Sequence, residues 1–153
     1  YMTNVYPAIN QNSTQMAVRY TYGGKQYYQI YNLAKGRFIN PRNPVKRICL
    51  SATSGDFQGF DLYGTSIYTI EGSPRKSFLL GYDRSRRYQP TKIRRYNYAV
   101  RSKKTITVRG AKTLSFREPE GIKVLAGGQI YMMYVSNTLT NQSCNIYRVK
   151  RKI

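Results

Sequence analysis

QGFDLYGTSIYTIEG, residues 58–72, is stated again downstream as EGIKVLAGGQIYMMYV, residues 120–135, and the two copies together decide the fold. Each opens with a Gln or Glu followed by Gly. Each continues through a short run with apolar alternate positions, Phe60 and Leu62 in one, Ile122 and Val124 in the other. A glycine-containing turn comes next, Gly64-Thr65-Ser66 or Gly127-Gly128, and a second run starts on the same pair, Ile67-Tyr68 or Ile130-Tyr131. Period-two alternation is the mark of a strand with one face in a core, and two such runs joined by a few turn residues make a β-hairpin. A looser third copy lies upstream, where residues 16–22 and 27–33 flank Gly23-Gly24. Hairpins that recur along a chain indicate a repeat architecture, here three successive antiparallel sheets.

The rest of the chain fits around these cores. Residues 1–15 carry little apolar pattern and read as a leading loop or edge strand. INPRNPVKR, 39–47, is a connecting loop imposed by its prolines, and 48–51 a short strand. Glu71-Gly72-Ser73-Pro74 reads as a turn, and SFLLGYD, 77–83, as an outer strand of the second sheet. Ile93, Tyr96, Tyr98 and Val100 mark a further strand with cations on its flanks and turns. ITVRG, 106–110, is another, and CNIYRV, 144–149, closes the fold before a basic tail, 150–153. No helix longer than two turns is expected. In the third unit IYMMYV is apolar on both faces, the pattern of a strand buried on both sides. The inner strands of β-propeller blades have that property. At roughly 40–50 residues per blade the chain holds about three, whereas closed propellers have about 4–8. The expectation is therefore an all-β chain of antiparallel four-stranded sheets arranged as blades, one domain over 1–153 that forms part of a larger propeller. Completion by a second chain or a homo-oligomer, and an open sandwich, are the alternatives.

Charge bounds the partners. Against 26 Lys plus Arg there are 6 Asp plus Glu, a formal net charge of +20. Such an excess repels itself unless a polyanion supplies the opposite field. Nucleic acid, anionic lipid and phosphate-rich wall polymers all meet that requirement, and charge alone does not choose among them. The 16 Tyr favour β structure, and no apolar run approaches the length of a membrane span. The chain begins at Tyr1, not Met, which points to a processed or partial chain. Cys49 and Cys144 flank apolar runs and read as buried thiols or as a disulfide.

With no His in the chain, Ser51, Ser54 and Ser136 have no partner for nucleophilic catalysis, and no spacing fits a zinc site. A binding protein without metal or cofactor is expected, not an enzyme. The candidate polyanion-binding residues are Arg84, Arg86, Arg87, Lys92, Arg94, Arg95, Arg101, Lys103 and Lys104, from a stretch, 75–117, whose lone acid is Asp83. Guanidinium forks match phosphate oxygens, and the interleaved Tyr88, Tyr96 and Tyr98 offer faces to a sugar or base. Glu118, Glu120 and Asp61 are the carboxylates near the repeated motif. Glu118-Pro119-Glu120-Gly121 reads as a turn entering a strand, its carboxylates accepting backbone N–H groups or pairing with Arg117, in preference to a general acid/base pair or a calcium site. Tyr68 and Tyr131, at equivalent repeat positions, are expected in the core or between blades.

QGFDLYGTSIYTIEG, EPEGIKV, QIYMMYVS and the closing NIY resemble, in that order, a family of extracellular β-propellers. The family includes helveticin J-like class III bacteriocins, teichoic acid biosynthesis protein C and phage receptor-binding propellers. The likeness spans residues 17–149. It implies a protein secreted to the surface of a Gram-positive bacterium that attaches to an anionic cell-wall polymer such as teichoic acid. The alternative from charge alone is a nucleic-acid-binding or phosphodiester-cleaving protein using the same cations; a third is docking to an acidic partner protein.

Overall fold

The computed structural model describes residues 2–35, 37, 39–51, 56–72, 90–111, 113–114, 118–137, 142–151 and 153. Among these residues eleven strands form three antiparallel meanders in chain order. The first sheet comprises β1 (Thr3–Ile9), β2 (Gln15–Tyr22), β3 (Lys25–Asn32) and β4 (Lys46–Leu50). The middle sheet comprises β5 (Phe57–Tyr63), β6 (Ser66–Glu71), β7 (Thr91–Asn97) and β8 (Ser102–Val108). The third has three strands among the described residues, not four: β9 (Glu118–Leu125), β10 (Gln129–Asn137) and β11 (Gln142–Arg148).

The three hairpins expected from the repeat are β2–β3, β5–β6 and β9–β10. Gly23 and Gly24 sit at φ +55° and +72° in the first turn. A two-residue turn with both central residues left-handed matches the twist of its strands, and glycine takes that conformation without strain. Residues 1–15 resolve into an edge strand, since β1 pairs with β2. The proposed strand 77–83 lies outside the described residues.

The middle sheet is packed on both faces. One core joins Ala17, Tyr28, Ile30 and Ile48 of the first sheet to Phe60, Leu62 and Ile67 of the middle one. A second joins Tyr68, Ile70, Ile93 and Ile106 to Val124, Ile130, Met132 and Tyr134 of the third. Alternation along β6 explains how: Ile67, Thr69 and Glu71 face the first sheet, Ser66, Tyr68 and Ile70 the third, and all six are buried. The two-sided burial expected for IYMMYV thus belongs to β6. In β10 one row, Ile130, Met132 and Tyr134, is buried, while Tyr131, Met133 and Val135 are half-buried, because no described element covers their side.

The first strands of the sheets lie beside one another, β5 against β9 and β1 against β5. This contact accounts for the repeated Gln/Glu-Gly motif. A Cβ added at Gly59 would stand 3.4 Å from the Gly121 Cα, so the glycines of the two copies let neighbouring backbones approach. Register shifts occur at the same place in both strands, between Phe57 and Gly59 and opposite Met133/Tyr134, the mark of a β-bulge. Gln58 Nε2 donates to the Gly72 carbonyl at 2.9 Å and to Glu118 Oε1 at 3.2 Å, tying the middle sheet to the third.

Several expectations are corrected. Glu71 is not a turn residue but the buried end of β6, in phase with Ile67 and Thr69. Glu118 and Glu120 lie within β9, not in a turn before it. Tyr98 and Val100 fall in the turn after β7, which ends at Asn97. Cys49 and Cys144 are free and exposed, on different sheets, so neither the disulfide nor the buried thiols exist. Both point away from the middle sheet by strand alternation.

Candidate functional site

β7 and β8 are the outer strands of the middle sheet, and their register decides where its cations go. Tyr96 pairs with Lys103, Arg95 with Lys104, Arg94 with Thr105 and Ile93 with Ile106. Since Ile93 and Ile106 face the third sheet, alternation puts Arg95 and Lys104 on that side. Lys92, Arg94, Tyr96 and Lys103 are left facing the first sheet. The cations are therefore not confined to flanks and turns. Lys92, Arg94 and Arg95 lie inside β7, and Lys103 and Lys104 inside β8, because long side chains on outer strands run their stems along the sheet and keep the charge in water.

Between the first and middle sheets the outer strands leave a cleft of about 140 Å³. Gln26, Tyr28, Leu50 and Ser51 line it from the first sheet, and Arg94, Arg95, Tyr96, Lys103 and Lys104 are among its residues from the middle sheet. Five of the candidate residues therefore border one cavity. Arg101 sits in the β7–β8 turn at φ 52°, and Tyr98 is held there by its N–H donating to the Thr65 carbonyl at 2.9 Å. Arg84, Arg86, Arg87 and Tyr88 lie outside the described residues.

The five differ in what remains available for a ligand. Arg94 Nε lies 2.9 Å and 3.0 Å from the two carboxylate oxygens of Glu71, which is 1% exposed in its side chain against 35% for Arg94. Arg95 Nε donates to Ser66 Oγ at 3.1 Å, and its Nη1 donates to the Ile153 carbonyl at 3.2 Å. Both arginines therefore hold the fold together. Lys103 stands 5.9 Å from the Tyr96 ring centroid, and among the described residues neither it nor Lys104 has a carboxylate in ion-pair range. Lys103 carries the unneutralised charge facing the cleft, while Lys104 borders the cleft with its side chain directed to the opposite face of the sheet.

Beneath it lies a buried polar group. Tyr28 is fully buried, and its hydroxyl finds no hydrogen-bond partner among the described residues. Burial pushes the phenol up to about 12, with the charge of nearby Arg19 pulling the other way and Glu71 adding to the rise. Arg19 is itself 4% exposed, its guanidinium 3.6 Å over the Phe57 ring.

The motif carboxylates serve structure. Asp61 accepts the Val124 N–H at 2.7 Å and the Lys123 ammonium at 3.0 Å, fastening β5 to β9. Lys123 also donates to the Ile9 carbonyl at 3.2 Å, so one side chain reaches all three sheets. Glu120 is raised above the usual carboxylate range by burial and by the charge of Glu118. Among the described residues no three His, Cys, Asp or Glu come together as a metal-binding group, and no helix is long and apolar enough to cross a membrane.

Sequence reasoning did not find the wall of the cleft made by Gln26, Leu50 and Ser51. These are single residues from strands remote in the chain, and nothing local distinguishes them. Glu71 was legible in principle, since it continues the alternation of Ile67 and Thr69. In comparisons with known proteins, neither a scan against family models nor a search of curated proteins finds a match to this chain.

Proposed function

We propose that this chain is a secreted cationic binding protein of helveticin J-like bacteriocin type. It attaches to an anionic wall polymer such as teichoic acid at the surface of a Gram-positive bacterium. The three sheets act as propeller blades: each is a meander running outward from a first strand, and the first strands neighbour one another. The polymer seats along β7–β8, over the cleft facing the first sheet. The observation that carries this reading is the convergence of Arg94, Tyr96 and Lys103 on one cavity between the first and middle sheets, in a chain of net charge +20. Lysines without carboxylate partners attract phosphates, and the ring of Tyr96 offers a face to the polyol or sugar between them.

Binding to purified walls tests it. The chain is expected to bind walls bearing teichoic acid in a salt-sensitive way and to lose most binding on walls stripped of it. Lys103→Gln is expected to flatten the dependence of log affinity on log salt by about 1, roughly one phosphate contact, and Lys104→Gln, on the opposite face, to change it less. Equal binding to stripped walls contradicts the proposal. The second reading, nucleic acid on the same cations, is favoured by the half-buried Tyr96 ring, which is placed to stack on a base. Duplex and single-stranded DNA that displace the chain from walls more effectively than free teichoic acid would support it.

A further inference from the structure

Each end of the three-sheet stack presents a largely apolar face that no described strand covers, the loop at Pro41 lying over Tyr31 at one corner of the first. On the third sheet, Leu125, Tyr131, Met133 and Ile146 point away from the middle sheet by strand alternation. Ile146 is 71% exposed, and a groove of about 450 Å³ runs along this face. β6 shows what flanking sheets do to a strand even with Ser66, Thr69 and Glu71 in it: every residue is buried. At the other end, the first sheet turns Ile9, Met16 and the stacked rings of Tyr20 and Tyr27 outward, the ring centroids 5.3 Å apart.

We infer that these two faces are partners between two copies of the chain. The free face of the third sheet seats on the free face of the partner's first sheet, the reciprocal contact forms as well, and six sheets close into a ring. Continuity with the interfaces inside one chain carries this. There, the following face of one sheet meets the preceding face of the next, twice in succession. The two free faces are the next members of that series, so a second copy extends the stack by the same rule. The closed pair is two-fold symmetric, each face of one copy meeting the unlike face of the other, and it closes when six equal sheet-to-sheet rotations complete the circle. Six sheets lie within the range of about 4–8 seen in closed propellers. The inference rests on the blade arrangement and is independent of polyanion binding. Two chains of charge +20 repel, so added salt strengthens this association, the opposite sign from attachment to a polyanion.

Sedimentation equilibrium of the full 153-residue chain at low and high salt is the test. The expected species is twice 17.7 kDa, favoured by salt. Ile146→Arg and Ile9→Arg change positions already 71% and 47% exposed, so each chain still folds. Each alone raises the dimer dissociation constant roughly tenfold or more. Mixed, the two variants regain dimers through the one interface that carries neither substitution. Persistence at 17.7 kDa in high salt overturns the second copy and leaves the blade arrangement standing. A dimer lost with Ile146→Arg but kept with Ile9→Arg overturns the head-to-tail contact, and a ladder of larger species overturns closure.

Discussion

Replacing Glu71 by alanine is expected to lower the unfolding free energy by about 3 kcal/mol, read as a fall in the urea midpoint. Breaking a buried ion pair by removing one partner costs about 3–5 kcal/mol, because the other charge is left without compensation. The lower figure applies because Arg94 is 35% exposed and can turn toward water, where screening reduces what the pair contributed. Thr69 also loses an acceptor, its hydroxyl lying 3.4 Å from Glu71 Oε1. Glu71→Gln keeps the volume and an acceptor and is expected to cost less. The same change has a functional sign. It leaves Arg94 unneutralised beside the cleft, so Glu71→Gln is expected to raise affinity for teichoic acid, and a weaker complex would show that Arg94 is not near the bound polymer.

The second large effect lies at alkaline pH. The Tyr28 phenol is neutral when buried and is pushed up from an ordinary value of 10.0 to about 12 in the fold. A group whose folded value lies above its unfolded value stabilises the protein fully below the unfolded value. That contribution is lost as pH rises through the folded one. Between pH 10 and 12 the unfolded chain gives up this proton and the folded chain does not, so stability falls with rising pH, by about 3 kcal/mol across the window. Tyr28→Phe removes that slope. At neutral pH the variant is expected to be as stable as the parent or more so by about 1 kcal/mol, because the deleted hydroxyl is buried without a well-formed hydrogen bond among the described residues, Arg19 standing close to it. Unfolding curves from pH 9 to 12 decide it. The same slope in both proteins would place the alkaline loss on other tyrosines.

The three hairpins were legible because their signals are local. Gly23-Gly24 fixes a turn, and the apolar alternation of Phe60 and Leu62, or Ile122 and Val124, fixes a face. Which strand is buried on both sides was not local. IYMMYV has the more apolar sequence, yet β6, with Thr69 and Glu71 in one row, is the strand enclosed by neighbours. Burial there depends on what packs against the sheet, and a single strand's composition does not contain that. The cations were found by charge density, but density does not tell a free lysine from an arginine already spent on the fold. Arg94 and Arg95 looked equivalent to Lys103 and Lys104 until Glu71, Ser66 and the Ile153 carbonyl were placed beside them. The register of β7 against β8 sorts these side chains onto two faces. A one-residue slip would exchange them.

On the proposed reading the polyanion seats on one cleft and not on basic surface in general. Amide chemical shifts recorded while soluble teichoic acid is added distinguish the two. The perturbed amides are expected to cluster on β7, β8 and the facing Leu50–Ser51 segment, at ionic strength high enough to screen diffuse attraction. Shifts spread evenly over Lys25, Lys46, Arg148 and the other exposed cations, with no excess around Tyr96 and Lys103, would contradict it.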